Sequence, residues 1–476
     1  MGKNVIYLKD GYLLIKIYKG GVYKMDLKRT FKDLDFFDVE LYKYKVVEKI
    51  NFLSIEEREE ILKKANYNLF NIPSKYITID LLTDSGTNTI SDLQLSNMML
   101  YDESYAGASS YERFLQAAKN FCNKEFIFPV HQGRAAEKIL AEILTKPGDI
   151  VISNTHFDTG FAIYKHFKAN PINIPTPYYK DEKYNFKGNI DLEKLEEMLS
   201  KENVSHVVMT ITNNALGGQP VDLENLKQAY KITKKYNKIF VIDGCRIAEN
   251  AILYKKITNS NKTIKEIIHE YTNFCDIFYM STKKDGIAHM GGFIATNDEL
   301  LIPKIRQLVI LYEGFPTYGG LSGKDMELIA KGLEEALDED YLNYRIKQVR
   351  FLGDLLKDMG IPIIEPVGGH AVFVNASEFI KHLKPEDYLG QSLVIELYRL
   401  GGIRSVEVGY LMYSKDAIMN LVRLAIPRRT YTYKHLEYVA YIFSLIKENI
   451  NNLKPYRIIE ADELVPHFTA KLEPVY

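Results

Sequence analysis

The sequence has little of what marks several classes of protein. It holds three cysteines in 476 residues, and no two are spaced as CxxC, which argues against a disulfide framework and a structural zinc site. Its formal net charge of −1 gives no reason to expect nucleic acid or a membrane surface as a partner. No apolar run reaches the roughly 18 residues that span a bilayer. Tyr12–Ile15 is too short for a signal-peptide core, so we expect a cytoplasmic protein.

What the chain does contain is typical of a globular protein with more than one domain, at 46% hydrophobic and 26% charged residues. Residues 1–50 are rich in lysine and tyrosine and have no helical period, so we expect an appended arm and assign it no role. After them, short apolar strands alternate with helices. This alternation predicts an α/β fold with a mostly parallel sheet that is covered on both faces.

Two adjacent lysines, Lys283 and Lys284, follow a short apolar strand that includes Ile277 and Phe278. Lysine is rarely buried unless it is paired. A lysine that acts as a nucleophile must be partly neutral, and a cationic neighbour and desolvation both favour that state. Taken alone, however, the pair is also explained by a solvated basic loop.

Polar side chains follow several predicted strands in the same way. In a parallel sheet the carboxyl ends of the strands meet at one edge, and ligands bind there. The residues that the strand ends deliver to this edge are Gln132, Arg134, Phe157, Asp158, Asn214, Asp243, Arg246, Ser281 and Lys284. The sequence therefore predicts a single polar site at that edge.

This set of residues fits pyridoxal 5′-phosphate. The cofactor needs a phosphate site, a lysine for its Schiff base and a carboxylate beside its pyridine nitrogen. The turn around Gly133 at a helix N-terminus, with Arg134, suits an anion. Structural interpretations stay open: Asp243 as a helix N-cap paired with Arg246, and Phe157 as plain core.

From Phe70 onward the chain resembles the aromatic amino acid β-eliminating lyases, the family of tryptophanase and tyrosine phenol-lyase. The motifs that carry this resemblance are Asp80–Thr87, Asp102–Gly107, His131–Arg134, Gly217–Pro220, Asp243–Asn250, Ser281–Asp285, Glu313–Gly320, Gly368–His370, Ile426–Arg428 and Phe468–Ala470. The resemblance implies a fold-type I pyridoxal phosphate enzyme, normally a homotetramer with shared active sites. We expect residues 51–90 to begin a small domain, 91–345 to form the large cofactor domain and 346–476 to complete the small one.

The resemblance also implies roles for single residues. For the cofactor it implies Lys284 as Schiff-base lysine beside Lys283, Gln132, Gly133, Arg134 and Ser281 around the phosphate, Phe157 stacked on the ring, Asp243 at the ring nitrogen, and Asn214 and Arg246 at the ring hydroxyl. For the substrate it implies Arg428, Thr83 and Asn214 at the carboxylate, and Tyr105 of a neighbouring subunit as proton donor to the leaving ring. For an activating potassium or ammonium ion it implies Glu103 and carbonyl oxygens near Gly86 and His289.

The substrate ring is expected to meet Phe70, Asp158, Val408 and His467. Tyrosine phenol-lyases carry Arg, Thr and Phe where this chain has Val408, Asp158 and His467, and without the arginine a phenol oxygen loses its charged partner. The resemblance therefore implies cleavage of L-tryptophan to indole, pyruvate and ammonia. Ile361–Phe373 is closer to the phenol-lyase branch, so tyrosine, S-alkyl cysteines and serine are alternative substrates. The non-enzyme alternative is an inactive paralogue that binds the cofactor.

Overall fold

The computed structural model describes residues 5–9, 12–17, 21–26 and 40–475, and the chain separates into two compact units, residues 1–45 and 46–476. The described part of the smaller unit is a three-stranded antiparallel sheet, β1 (Val5–Lys9), β2 (Tyr12–Ile17) and β3 (Gly21–Asp26). No strand or helix is predicted for this arm from its sequence. The composition of β1 and β2, with their isoleucines, leucines and tyrosines, suits a sheet.

The remaining strands belong to the larger unit. They are β4 (Ile79–Asp80), β5 (Phe126–Val130), β6 (Ile150–Ser153), β7 (Asn170–Asn173), β8 (Val204–Thr210), β9 (Ile239–Asp243), β10 (Ile277–Ser281), β11 (Gly292–Thr296), β12 (Ala371–Asn375), β13 (Ile403–Arg404), β14 (Val406–Val408), β15 (Leu421–Ala425), β16 (Tyr456–Glu460) and β17 (Lys471–Pro474).

The helices alternate with these strands. They are α1 (Ile55–Lys64), α2 (Asp92–Asn97), α3 (Ser109–Cys122), α4 (Gly133–Leu144), α5 (Asp158–His166), α6 (Leu192–Lys201), α7 (Leu223–Lys235), α8 (Ile247–Thr258), α9 (Ile264–Thr272), α10 (Ile302–Tyr312), α11 (Gly323–Glu335), α12 (Glu339–Asp358), α13 (Ala376–Phe379), α14 (Leu389–Gly401), α15 (Tyr410–Tyr413), α16 (Tyr433–Glu448) and α17 (Pro466–Thr469). In the part of the chain that the structure describes, none of them is long and apolar enough to cross a membrane.

A seven-stranded sheet forms the centre of the larger unit, in the order β5-β11-β10-β9-β8-β6-β7. Neighbouring strands are parallel except at β11, which runs antiparallel to both β10 and β5. Strands β9 to β11 are almost wholly buried, as near-continuous apolar strands are when helices cover both faces. The predicted α/β fold with a mostly parallel central sheet is confirmed.

Two apolar runs, each typical of a strand by its sequence, form less strand than that pattern predicts. The run from Tyr76 to Leu82 alternates like a strand, but only β4 is paired, with β13, and a 3-10 turn occupies Ser74–Tyr76. The apolar residues from Ile361 to Ile364 contribute a single bridge, from Ile363 to Val374. In both places the side chains are buried by packing, so the apolar pattern exists without a ladder of hydrogen bonds.

A separate apolar core joins the two ends of the larger unit. Leu69 and Leu81 belong to the same buried cluster as Leu393 and Phe443, beside the antiparallel sheet β12-β15-β14. Residues before 90 and after 346 thus share one core. We propose that residues 51–90 and 346–476 form the small domain and that residues 91–345 form the large domain.

Candidate active site

Several strands of the central sheet end at one cavity of about 260 Å³. Thr210, Asp243 and Ser281, the last residues of β8, β9 and β10, all lie in its wall. The other predicted site residues in this wall are Phe70, Thr83, Gln132, Gly133, Arg134, Phe157, Asp158, Asn214, Arg246, Lys284 and His467. Parallel strands that share one edge bring these distant residues together.

One end of the cavity is built from the start of α4. Helix α4 begins at Gly133, and its N-cap residue Gln132 makes no side-chain capping bond, so the first-turn N–H groups have no capping side chain. A Cβ atom on Gly133 would lie 2.7 Å from the Cβ of Ser281, so glycine is needed for the helix to approach β10 this closely. The exposed Arg134 lies in the same wall. A helix N-terminus, a hydroxyl and a guanidinium together suit a phosphate group.

A carboxylate and an amide lie elsewhere in the same wall. The Cys245 N–H donates to Oδ1 of Asp243 at 3.2 Å, which leaves the other carboxylate oxygen for a ligand. Oδ1 of Asn214 lies 2.9 Å from Nε2 of His370. Arg246 donates two hydrogen bonds to the carboxylate of Asp84, at 3.0 and 2.7 Å. The alternative in which Arg246 is the ion-pair partner of Asp243 is therefore wrong.

These residues fit pyridoxal phosphate. The cavity combines an anion-binding helix start, the carboxylate of Asp243, the aromatic side chain of Phe157 and the amine of Lys284. The hydroxyl of Thr212, which also lines the cavity, is buried and has no hydrogen-bond partner among the residues that the structure describes. A buried hydroxyl without a partner is costly, and a bound ligand would supply one.

Lys283 and Lys284 both line the cavity, as expected from their place after β10. Lys283 is about half buried, and burial, followed by the charges of Lys284 and Arg134, lowers the pKa of Lys283. The carbonyl of Lys283 accepts a hydrogen bond from the Gly86 N–H at 2.8 Å and from the Asn88 side chain at 2.8 Å. The lysine pair therefore also anchors the loop that carries Thr83.

The arginine predicted to bind the substrate carboxylate does not line the cavity. Arg428 is fully buried and makes ion pairs with three carboxylates, those of Asp84 at 3.0 Å, Glu249 at 2.7 Å and Asp285 at 2.9 Å. Both terminal nitrogens of its guanidinium are used in this way, and its Nε, although it has no hydrogen-bond partner among the described residues, is buried outside the cavity wall. The prediction for Arg428 is corrected: its charge serves a buried ionic network.

Arg423, which the sequence analysis missed, lies in the wall instead. One terminal nitrogen donates to the Leu82 carbonyl at 3.0 Å, and the other lies 3.4 Å from Oδ1 of Asn214. Its Nε atom is buried and has no hydrogen-bond partner in the described part of the chain, and its guanidinium lies 5.8 Å from the centre of the Phe157 ring. The signal in the sequence is a lone charge inside the apolar strand β15, because a buried charge needs a partner.

Glu137 is a second cavity residue that the sequence analysis missed. It follows Gly133 by four positions on α4, so both lie on the same helix face. Burial, then the charge of Asp243, raises the pKa of Glu137 from its usual 4.5 to about 7, although Lys284 acts in the opposite direction. A carboxyl group in a ligand cavity with such a pKa is a candidate functional group.

Three of the four residues expected at the substrate ring, Phe70, Asp158 and His467, lie in the cavity wall. His467 Nε2 lies 3.0 Å from Oδ2 of Asp158, and both side chains are buried. Burial raises the pKa of Asp158, but hydrogen bonding to His467 and its charge outweigh it, so this pKa is lowered and Asp158 is an anion. Phe70 packs edge-on against His467, with 6.0 Å between ring centres. Val408 lies in an apolar cluster and lines a smaller neighbouring cavity, while Val406 faces the main one.

Four more predicted residues lie outside the cavity. Tyr105 is 68% exposed and packs on Phe315 and Tyr318, with 5.7 and 5.2 Å between ring centres. A Cβ atom on Gly86 would lie 2.9 Å from the carbonyl oxygen of His289, so these two residues are close neighbours. Glu103 accepts a hydrogen bond from the Gly323 N–H at 2.9 Å.

Known proteins resemble this chain over most of its length. Residues 80–441 match the family described as beta-eliminating lyase. The tryptophanase of Hyphomonas neptunium is 43% identical over 91% of this chain and 99% of its own length. The tyrosine phenol-lyase of Clostridium tetani is 40% identical over 93% of this chain and 99% of its own. Among solved structures, the serine palmitoyltransferase of Sphingomonas wittichii has a TM-score of 0.58 at 13% identity, covering 84% of this chain and 97% of that one.

Proposed function

We propose a substrate and a set of residue roles from one premise: the chain belongs to the beta-eliminating lyase family and is a pyridoxal phosphate-dependent lyase. Within the family, we propose that it cleaves L-tryptophan to indole, pyruvate and ammonia. Cleavage of tyrosine, or of another β-substituted amino acid such as an S-alkyl cysteine or serine, is the alternative.

The anionic Asp158 in the wall is the observation that carries this choice. Indole presents only an N–H donor, from which the Asp158 carboxylate can accept a hydrogen bond. A phenol oxygen that becomes anionic would be repelled by the same carboxylate. His467 and the apolar Phe70 complete this region. The tryptophanase of Hyphomonas neptunium is 43% identical to this chain, which is consistent with the choice.

Pyridoxal phosphate, when bound, takes up the electron pair that is left when the proton on Cα of an attached amino acid is removed. Its phosphate would be held by Gln132, Gly133, Arg134 and Ser281, its ring by Phe157, Asp243, Asn214 and Arg246, and its aldehyde carbon by Lys284. Within this arrangement the amine of Lys284 removes the proton from Cα. Lys283 and Arg134 add positive charge beside that amine.

Arg423 takes over the role expected of Arg428. It is a buried cation in the cavity wall with an unpartnered Nε, next to Asn214, and the loop of Thr83 lies in the same wall. We assign the substrate carboxylate to Arg423, Asn214 and Thr83, because a guanidinium recognises a carboxylate through two parallel hydrogen bonds.

A second copy of the chain would supply the proton to the leaving ring. Tyr105 lies outside the cavity of its own chain and has an exposed hydroxyl-bearing ring, which suits a residue that acts in a neighbouring subunit. Large apolar side chains are exposed close to it in sequence, at Met99, Leu100 and Tyr101, as expected for a surface that other subunits cover. A homotetramer with shared active sites remains our proposal.

The activating cation is proposed to be potassium or ammonium. The close approach of Gly86 to the His289 carbonyl supports an oxygen-lined site there, and Glu103 is its proposed carboxylate. For location we propose the cytoplasm, which three buried free cysteines suit.

The test is to incubate the pure protein, pyridoxal phosphate and potassium with L-tryptophan and to measure indole and pyruvate. L-Tyrosine, S-methylcysteine and serine run alongside, and sodium replaces potassium in a parallel series. Indole and pyruvate in equal amounts, with less product in sodium, are expected. A protein that binds the cofactor but releases pyruvate from none of these substrates would instead be an inactive paralogue.

A further inference from the structure

We propose that Glu137 is a positioning residue of this site: its carboxylate ties the turn that carries Phe157 and Asp158 to the central sheet. A carboxylate in this position also makes the site responsive to pH. This inference rests on the proposed function only for the meaning of the site, because the contacts of Glu137 are independent of any substrate.

Two hydroxyl groups from different elements converge on this carboxylate. The Thr159 hydroxyl, in the first turn of α5, donates to Oε2 of Glu137 at 3.1 Å. The Tyr279 hydroxyl, on β10, donates to Oε1 at 3.2 Å. Thr159 directly follows Phe157 and Asp158, and Tyr279 lies two residues before Ser281 on the same strand. Glu137 therefore links the proposed ring-stacking turn to the strand that leads to the lysine pair.

The carboxylate of Glu137 also lies beside Gly160 on α5. A Cβ atom on Gly160 would lie 3.6 Å from Oε1 of Glu137, an ordinary van der Waals distance, so the carboxylate fills the space beside α5 without strain. Glu137 is also part of the cavity wall, so a change in its charge alters the electrostatic potential at a bound ligand.

The surroundings of Glu137 are dominated by other ionisable groups. The groups that act on it or are bonded to it are Asp243 at the end of β9, Asp158 and Tyr164 on α5, Tyr279 on β10 and Lys284 after β10. Like charges on Asp243 and Asp158 disfavour a third anion, and burial has the same effect. Both hydroxyl donors are satisfied best by an ionised carboxylate, since a protonated one keeps a hydrogen on one oxygen.

Glu137→Gln removes the charge and keeps the shape, and Glu142→Gln is the matched control. Glu142 lies on the same helix and also accepts a tyrosine hydroxyl bond, from Tyr312 at 2.7 Å, but it does not line the cavity. Thr159→Val is the third variant, because it removes one hydrogen bond to Glu137 and leaves the carboxyl in place.

The first measurement is the melting temperature of the cofactor-free protein between pH 5 and pH 9. Ionisation of Glu137 costs folding free energy because its pKa is higher when folded, so Glu137→Gln should gain about 2–4 °C over wild type as pH rises through 7. Glu142→Gln should follow the wild-type curve. Thr159→Val should move the transition to higher pH, since it removes a bond that favours the ionised form.

The second measurement is the pH titration of the visible absorption of the cofactor-bound protein. An anionic Glu137 favours cationic forms of groups in the cavity, so Glu137→Gln should lower the pH midpoint of this absorption titration by about one pH unit. Glu142→Gln should leave that midpoint unchanged. A wild-type profile for Glu137→Gln in either measurement overturns the inference. If the wild type binds no pyridoxal phosphate, the proposed function fails, and the melting curves alone decide the role of Glu137.

Discussion

Replacing Arg423 by methionine should impair substrate binding and leave the fold intact. Methionine keeps the length of the side chain and its contact with Phe157 while removing the charge. The substitution removes a hydrogen bond to the Leu82 carbonyl at 3.0 Å and a long one to Asn214 at 3.4 Å. Burial lowers the pKa of Arg423 although the charge of Asp84 acts in the opposite direction, so the substitution also removes the cost of burying this charge. We therefore expect little change in the free energy of unfolding.

The magnitude for catalysis follows from the pair that Arg423 is proposed to form with the substrate carboxylate. Truncating one partner of a buried charge pair costs roughly 2–5 kcal/mol. A loss of about 3 kcal/mol corresponds to a fall in kcat/KM of about 150-fold. Tryptamine, which has the ring and the amine but no carboxylate, should inhibit the variant and the wild type equally well.

Arg428→Met provides the contrast. Its guanidinium pairs with Asp84, Glu249 and Asp285, and all four side chains are almost fully buried. Removing it leaves three buried carboxylates without this partner, which should cost about 3–5 kcal/mol of unfolding free energy. Burial, then the charge of Glu249, already raises the pKa of Asp285 to about 7, so Asp285 takes up a proton readily when Arg428 is lost.

The assay combines urea unfolding with steady-state kinetics on L-tryptophan for both variants. The assignment of the substrate carboxylate to Arg423 requires that Arg423→Met lowers kcat/KM and that Arg428→Met lowers the free energy of unfolding. It is refuted if Arg423→Met keeps kcat/KM within threefold of wild type. The assignment is also refuted if Arg428→Met has the wild-type free energy of unfolding and binds tryptophan no more tightly than tryptamine.

Further predictions concern the lysine pair, the ring pocket and a buried acid. Lys284→Ala should abolish the visible band of the bound cofactor while the far-UV circular dichroism is unchanged, and loss of the band in Lys283→Ala instead would place the attachment one residue earlier. Val408→Arg should release no phenol from L-tyrosine, because Val408 lines the smaller cavity and not the one that contains Asp158 and His467; robust phenol release contradicts this. Burial raises the pKa of Glu407 from its usual 4.5 to about 8, so its ionisation destabilises the fold as pH rises through 8. Glu407→Gln should therefore melt above wild type at pH 9 and close to it at pH 5, and parallel curves would disprove it.

Much of the site can be predicted from the sequence because the geometry of a parallel sheet is so restrictive. Once apolar strands alternate with helices, the residues after each strand must meet at one edge, whatever the details of packing. Gln132 and Lys284 are more than a hundred residues apart in the sequence. This rule alone brings them, together with Asp243, into one cavity.

Other properties depend on contacts between elements that are distant in sequence. Arg423 and Arg428 are five residues apart, and only the packing of β15 and of the Asp84 loop decides which one reaches the cavity and which joins the buried ionic network. The pKa of Glu137 depends on burial and on Asp243, which belongs to another strand. Charge, hydrogen bonding and solvent exposure are properties of the assembled surroundings. The sequence by itself thus determined the edge of the sheet and the chemistry collected there, and the tertiary structure decided which charges remain free to act on a ligand.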